Sequence, residues 1–151
     1  EILIVRLNKE SPKKCSLTPL RARQDPRIRW MDVEPGQTVE VGEVTLLHPE
    51  GELLSKADAL RPLLLVDASW SDLVRVLRGT QGTLLRRRLV DGLRTAYPRR
   101  SNWFPDPGNG VSSIEALHAA LAALGAREDS LLDGYRWKEE WLRVNAALLG
   151  A

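Results

Sequence analysis

Leu63-Leu64-Leu65-Val66-Asp67-Ala68-Ser69-Trp70 is the stretch on which the fold turns. Four apolar residues in a row read as a buried strand, and the run then stops at an acid, a small residue, a hydroxyl and a large aromatic. In an open α/β sheet, ligands bind beyond the carboxyl ends of the strands. Asp67, Ser69 and Trp70 therefore stand where a site is built. A short apolar run is equally compatible with a buried helix segment, so the flanking sequence has to decide.

Downstream, Asp72 to Leu77 has helical patterning, and Arg86 to Leu93 fits neither period. Residues 97–110 hold Pro98, Pro105, Pro107, Gly108 and Gly110 and predict a long irregular loop, a kind that is usually functional or disordered. Ser112-Ser113-Ile114-Glu115 is a capping box. Ile114, Leu117, Leu121 and Leu124 then line one helical face, and Gly125 ends the helix. A short helix is expected over Glu128 to Asp133. A last one is expected over Arg136 to Leu149, with Trp137, Trp141, Val144 and Leu148 on its buried side.

Upstream, Ile2 to Leu7 reads as a strand, 11–16 as a loop, and Leu17 to Arg23 as a short helix with Pro19 in its first turn, where a missing N–H costs little. Glu34 to Gln37 is a turn. Val39 to Val41 and Val44 to Leu47, separated by Gly42-Glu43, predict a hairpin. His48 to Gly51 is a second turn, and Ser55 to Asp58 carries the spacing of a helix start. Strand-then-helix order makes the second half α/β. The expected fold is thus α/β, with a small β-rich N-terminal lobe (1–50) and an α/β domain with C-terminal helices (51–151).

Composition narrows the function classes. The chain has 151 residues, 43% of them hydrophobic, enough for one domain with a real core. No apolar run approaches the ~20 residues that span a bilayer. The start is too short and wrongly flanked for a signal peptide, and the missing initiator Met is expected of a chain trimmed or begun internally. Cys15 alone forms no internal disulfide. With only His48 and His118 beside it, a zinc site is not expected, and a reduced, cytoplasmic setting is the default. The net charge of +2 conceals a pattern. Residues 6–29 carry eight bases against two acids, residues 30–60 seven acids against one base, and residues 86–100 six arginines against one acid. Two basic segments around an acidic one suggest a positive face for a polyanion, or a merely solvated surface.

Six segments resemble the ribosome-biogenesis aminocarboxypropyltransferases, which modify a uridine-derived base of small-subunit rRNA. They are Ser11-Pro12-Lys13-Lys14-Cys15-Ser16; Leu47-His48-Pro49-Glu50-Gly51 with Ser55-Lys56-Ala57-Asp58; Val66-Asp67-Ala68-Ser69-Trp70; Arg87-Arg88-Leu89; Ser112 to Leu117; and Tyr135-Arg136-Trp137 with Trp141-Leu142 and Asn145. Their order is that of the family and they touch nearly the whole chain. More distantly the chain is similar to the DTW-domain enzymes, which place the same group on tRNA uridine. It departs from the pattern at Ser11, where the family has Asp; at Ser16, where it has Thr; at Val90, where it has Pro; and in the loop from Ala96 to Trp103.

The resemblance implies a SPOUT-like, knotted α/β domain that binds S-adenosyl-L-methionine and transfers its 3-amino-3-carboxypropyl group to RNA. It implies Ser16, Leu47, Val66, Trp70, Leu89, Asn109 and Ser113 as cofactor-binding positions, and Asp67 and Trp70 as catalytic ones. It implies Lys13, Lys14, Arg86, Arg87, Arg88, Arg94, Arg99 and Arg100 as RNA contacts. A monomer with no metal and no membrane partner is expected. In this reading Asp67 accepts the proton of the attacking nitrogen or orders the amino group of the cofactor; its plain alternative is a cap for the helix starting at Ser71 or Asp72. Trp70 either faces a sulfonium or covers the core. Trp103 and Phe104 either stack on bases or pin their loop. The rival activities are a tRNA-uridine version of the transfer, a methyltransferase on the same fold, and a non-catalytic ribosome-assembly factor.

Overall fold

The computed structural model describes residues 1–7, 16–97 and 111–150, and of Trp70 only the backbone. Five parallel strands form one sheet in the order β2-β1-β4-β3-β5. The strands are β1 (Ile2–Leu7), β2 (Ile28–Val33), β3 (Val39–Leu53), β4 (Leu63–Asp67) and β5 (Thr80–Arg88). Four α-helices accompany them among the described residues: α1 (Thr18–Ala22), α2 (Trp70–Arg78), α3 (Ser113–Ala123) and α4 (Lys138–Val144). β4, from residues 51–151, lies between β1 and β3 in this sheet, and β3 runs across residue 50.

The apolar runs lie where burial demands them. Every residue of β1 and of β4 is buried. A parallel strand covered by helices on both faces reads as continuous hydrophobic sequence. Ile2, Ile4, Leu63 and Leu65 point to a core shared with α1, α3, Leu131, Leu132 and Trp141. Leu3, Val5, Leu64 and Val66 point to the opposite core, under Leu73 and Val76 of α2. Burying one such side chain contributes about 1.5–3 kcal/mol. The edge strands β2 and β5 carry Arg29, Asp32, Arg86 and Arg88, charges that discourage further strand addition.

Three local expectations are corrected. Val39 to Leu47 does not turn back as a hairpin. Gly42 (φ +72°) instead marks a bulge between Glu40 and Gly42, and β3 continues parallel to β5 as far as Leu53. A single residue of positive φ bends a strand, whereas reversal needs a complete turn. The predicted turn at 48–51 is an excursion inside β3, since Leu47 and Glu52 both pair with Arg87. The last helix ends at Val144, because Asn145 turns its side chain onto the carbonyl of Trp141. Past that end the helical period lapses, so Leu149 is buried and Leu148 is exposed.

Ser55 and Ser112 both open helices through capping boxes, as their spacing predicts. Glu128 to Asp133 forms a 3₁₀ helix over Asp129–Leu132. Arg86 to Leu93, ambiguous by period, is the end of β5 followed by irregular chain. No helix is long and apolar enough to cross a membrane, and no group of three or more His, Cys, Asp or Glu side chains able to hold a metal occurs, both among the described residues.

Candidate functional site

From β1 the chain passes through α1 to β2 on one side of the sheet. From β4 it passes through α2 towards β5 on the other. Helix α1 lies in the core of one sheet face and α2 in that of the other. The gap between β1 and β4 is therefore the topological switch point, the place where an open α/β sheet leaves a crevice beyond its carboxyl ends.

Two opposite charges close those ends. Arg6 and Asp67 are register partners on β1 and β4. Both are buried, with Arg6 Nε 3.7 Å from Asp67 Oδ2. The hydroxyl of Ser113, first residue of α3, donates to Asp67 Oδ1 at 2.6 Å. The amide of Ile114 donates to Ser16 Oγ at 3.2 Å. Those two bonds fasten the start of α3 over the ends of the strands, where the positive end of the helix favours a carboxylate. Asp67 is not the helix cap; Ser69 precedes Trp70 in that place, and its carbonyl accepts from the amides of Asp72 and Leu73. Among the described residues, Arg6 Nη2 is the one buried side-chain nitrogen or oxygen without a hydrogen-bond partner.

A set of polar contacts centred on two buried side chains, Glu115 and Asn145, holds residues 94–97. Glu115 is fully buried and accepts four bonds: from the Thr95 hydroxyl (2.6 Å), the Ala96 amide (2.9 Å), the Ser112 amide (2.9 Å) and the Tyr135 hydroxyl (3.1 Å). Burial, with the Glu115 carboxylate beside it, pushes the Tyr135 phenol well above its ordinary range. Asn145 accepts from the Arg94 amide at 2.8 Å and donates to the Arg94 carbonyl at 2.9 Å. Trp137 meets Tyr97 and Tyr135 edge to face, with centroids 5.1 and 5.7 Å away. Residues 94–97, which lead into the Pro/Gly loop, are thus tied to the C-terminal helices.

Of the expected cofactor positions, Ser16, Val66 and Ser113 lie around the switch point, beside Asp67, which was expected to be catalytic. Leu47 and Leu89 are half-buried against the core under α3. Trp70 is the first residue of α2, three residues after the end of β4 at Asp67. Asn109, Lys13, Lys14, Arg99 and Arg100, together with Trp103 and Phe104, lie outside the described residues. The arginines of β5 are engaged. Arg87 Nε donates to the buried carboxylate of Asp58 at 3.1 Å, Arg88 meets Asp91 at 3.3 Å, and the more exposed Arg86 lies 3.7 Å from Glu50. The acidic segment thereby neutralises part of the basic one.

Sequence reasoning missed Arg6 and the partners of His118. Arg6 had a usable signal: a charge at the core-facing parity of an otherwise apolar strand. His118 is fully buried between Trp141 and Asp129. Its partners come from α4 and a 3₁₀ helix, elements that spacing along α3 does not reach.

No protein-family model and no curated protein matches the chain. Among solved structures, its fold is similar to that of the SAM-dependent rRNA:acp-transferase Tsr3 from Vulcanisaeta distributa, with a TM-score of 0.74 and 25% sequence identity, over 99% of this chain and 80% of that one.

Proposed function

We propose that this protein is a S-adenosylmethionine-dependent transferase that places a 3-amino-3-carboxypropyl group on a uridine-type base of RNA, with small-subunit rRNA as its substrate. The observation that carries this reading is likeness to an rRNA:acp-transferase over 99% of the chain. The six motifs in family order support it, and so does a buried acid at the switch point. When bound, S-adenosylmethionine supplies a sulfonium-activated γ-carbon: the C–S bond breaks, a bond from the base nitrogen forms, methylthioadenosine leaves with the sulfur's electron pair, and the nitrogen loses its proton.

The protein's task is positioning, since the sulfonium activates three carbons and the site selects which one meets the nucleophile. Backbone at Val66 and Leu89 and side chains at Ser16 and Ser113 are the proposed holders of the cofactor, with Leu47 and Asn109 beside them. Trp70 is proposed to face the sulfonium. Asp67 is proposed to bind the cofactor's polar end or to take the base's proton. Arg86 and Arg94, exposed on the described surface, are the proposed phosphate contacts there, joined by Lys13, Lys14, Arg99 and Arg100. A SPOUT-like knot, a cytoplasmic setting and a monomeric state belong to the same reading.

Calorimetric titration with S-adenosylmethionine tests it. The expected result is micromolar binding to the native chain and at least tenfold weaker binding to a folded Trp70→Ala variant (about 1.4 kcal/mol). Absence of binding to well-folded native protein contradicts an enzyme and leaves an RNA-binding assembly factor.

A further inference from the structure

We infer that the cleft between the end of α1 and the start of β2 is a subsite for an adenine base of the RNA, in which Trp30 and Arg21 form the stacking surface and the Gln24 amide reads the edge of the base. The inference rests on the RNA reading above and adds to it a second nucleotide, recognised away from the reaction crevice.

The cleft has a volume of about 390 Å³ and is lined by Arg21, Gln24, Asp25, Pro26, Ile28 and Trp30. Ligand pockets begin at this size. Ile28 pairs with Ile2, at the end of the sheet opposite to Arg6 and Asp67. Four steps of strand, about 13 Å along the sheet, lie between the two ends.

Gln24 is the residue that points to a ligand. Apart from glycines, it alone among the described residues has a positive φ, of +52°. Its backbone N–H donates to the Arg21 carbonyl at 3.1 Å and closes the end of α1, a position that glycine occupies without strain. Glutamine there strains the backbone, yet its exposed side-chain amide makes no hydrogen bond among the described residues. A strained residue whose side chain serves no contact within the chain marks a functional position.

Beside it stands a fixed, flat surface. Trp30 is half-buried on β2 and packs on the core. The Arg21 guanidinium lies over its ring, with Cζ 5.1 Å from the centroid, and is held by two bonds to Asp32 of 2.8 and 2.7 Å. Even so, 37% of the Arg21 side chain meets solvent. Bases stack on aromatic rings and on guanidinium planes alike. A glutamine amide donates and accepts together, which matches N7 and the N6 amino group of adenine. Four arginines against two acids between residues 21 and 32 favour a polyanion as the bearer of that base.

Fluorescence anisotropy at low salt, with oligoadenylate and oligouridylate of equal length, tests the subsite on the full chain. Native protein is expected to bind oligoadenylate at least about fivefold more tightly than oligouridylate. Gln24→Gly removes the amide at a φ that suits glycine, so its melting temperature is expected to equal or exceed the native one. The same variant is expected to bind the two oligonucleotides equally. A folded Trp30→Leu variant is expected to lose about five- to a hundred-fold in oligoadenylate affinity. Arg86→Ala, outside the cleft, is expected to weaken both oligonucleotides alike. Equal affinity of native protein for the two overturns the subsite. So does a Gln24→Gly variant that keeps the preference, or a folded Trp30→Leu variant with native oligoadenylate affinity. The native comparison needs no variant, and it separates two failures. Binding without preference overturns the subsite alone, whereas native protein that binds neither oligonucleotide overturns the RNA reading itself.

Discussion

The indole N–H of Trp141 donates to Nδ1 of His118 at 3.0 Å in the core beneath α3. An imidazole that accepts at Nδ1 is neutral, with its proton on Nε2, where Asp129 Oδ1 lies at 2.8 Å. Burial pushes His118 below its ordinary pKa of 6.5, and the Asp129 carboxylate only partly opposes this. The unfolded chain therefore takes up the proton first as pH falls. The stability conferred by neutral His118 is whole above pH 6.5 and is lost progressively below it, until the folded protein itself protonates. Melting temperature is expected to drop between pH 7 and 5 in the native protein, and by less in His118→Gln. His48 shifts in the same direction in both proteins, so the difference between the curves isolates His118. Parallel curves contradict the assignment. A second loss is expected between pH 3.8 and about 2, where Asp25 and Asp129 give up their arginine partners.

Glu115 is the hub that ties residues 95–97 to α3 and to Tyr135. Glu115→Gln replaces one acceptor oxygen with a donor facing other donors. A cost of about 2–4 kcal/mol is expected, read as a lower urea midpoint with unchanged slope. Tyr135→Phe removes the bond to Glu115 and the 3.3 Å contact with the Ser112 hydroxyl, and is expected to cost about 1–2 kcal/mol. A Glu115→Gln variant as stable as the native protein contradicts the hub.

Adjacent arginines of β5 are expected to separate by function. Arg87 reaches the buried Asp58, so Arg87→Ala is expected to lower stability by about 1–2 kcal/mol. Arg86 has half its side chain in solvent. Arg86→Ala is expected to leave stability unchanged and to weaken RNA binding, reducing the slope of log affinity against log salt by about 0.7–0.9. Filter binding across a salt series checks this, and an unaltered slope removes Arg86 from the RNA face.

Where β3 bulges against β5, a Cβ on Gly82 (φ +143°) would lie 2.2 Å from the Gly42 carbonyl oxygen. A Cβ on Gly42 (φ +72°) meets nothing within 4 Å. Gly42→Ala is expected to cost about 1 kcal/mol, from backbone strain alone. Gly82→Ala is expected to cost clearly more, because backbone has to move. Equal melting temperatures for the two variants contradict the close approach of Gly82 to the bulge.

Much of this architecture is legible in the residues themselves. The all-apolar β1 and β4, the capping boxes at Ser55 and Ser112, and the stop at Asp67 each follow from local chemistry. The edge strands were not legible. Ile28–Val33 and Thr80–Arg88 interleave charges with apolar residues because one edge of each meets solvent, and neither keeps a clean alternation. Gly42-Glu43 carried a turn signal that parallel pairing to β5 overrode. At the site, the strand end marked Asp67, but the pairing of Arg6 with it depends on β1 and β4 being neighbours. That adjacency is topological, with 55 residues between the end of β1 and the start of β4, and no local pattern encodes it.

The central claim is the identity of the transferred group. It is tested most directly by incubating the protein with RNA and S-adenosylmethionine labelled either in the carboxyl carbon or in the methyl group. The account predicts that the carboxyl label enters RNA while methylthioadenosine accumulates. Methyl label in RNA with adenosylhomocysteine as by-product would contradict it and make the protein a methyltransferase.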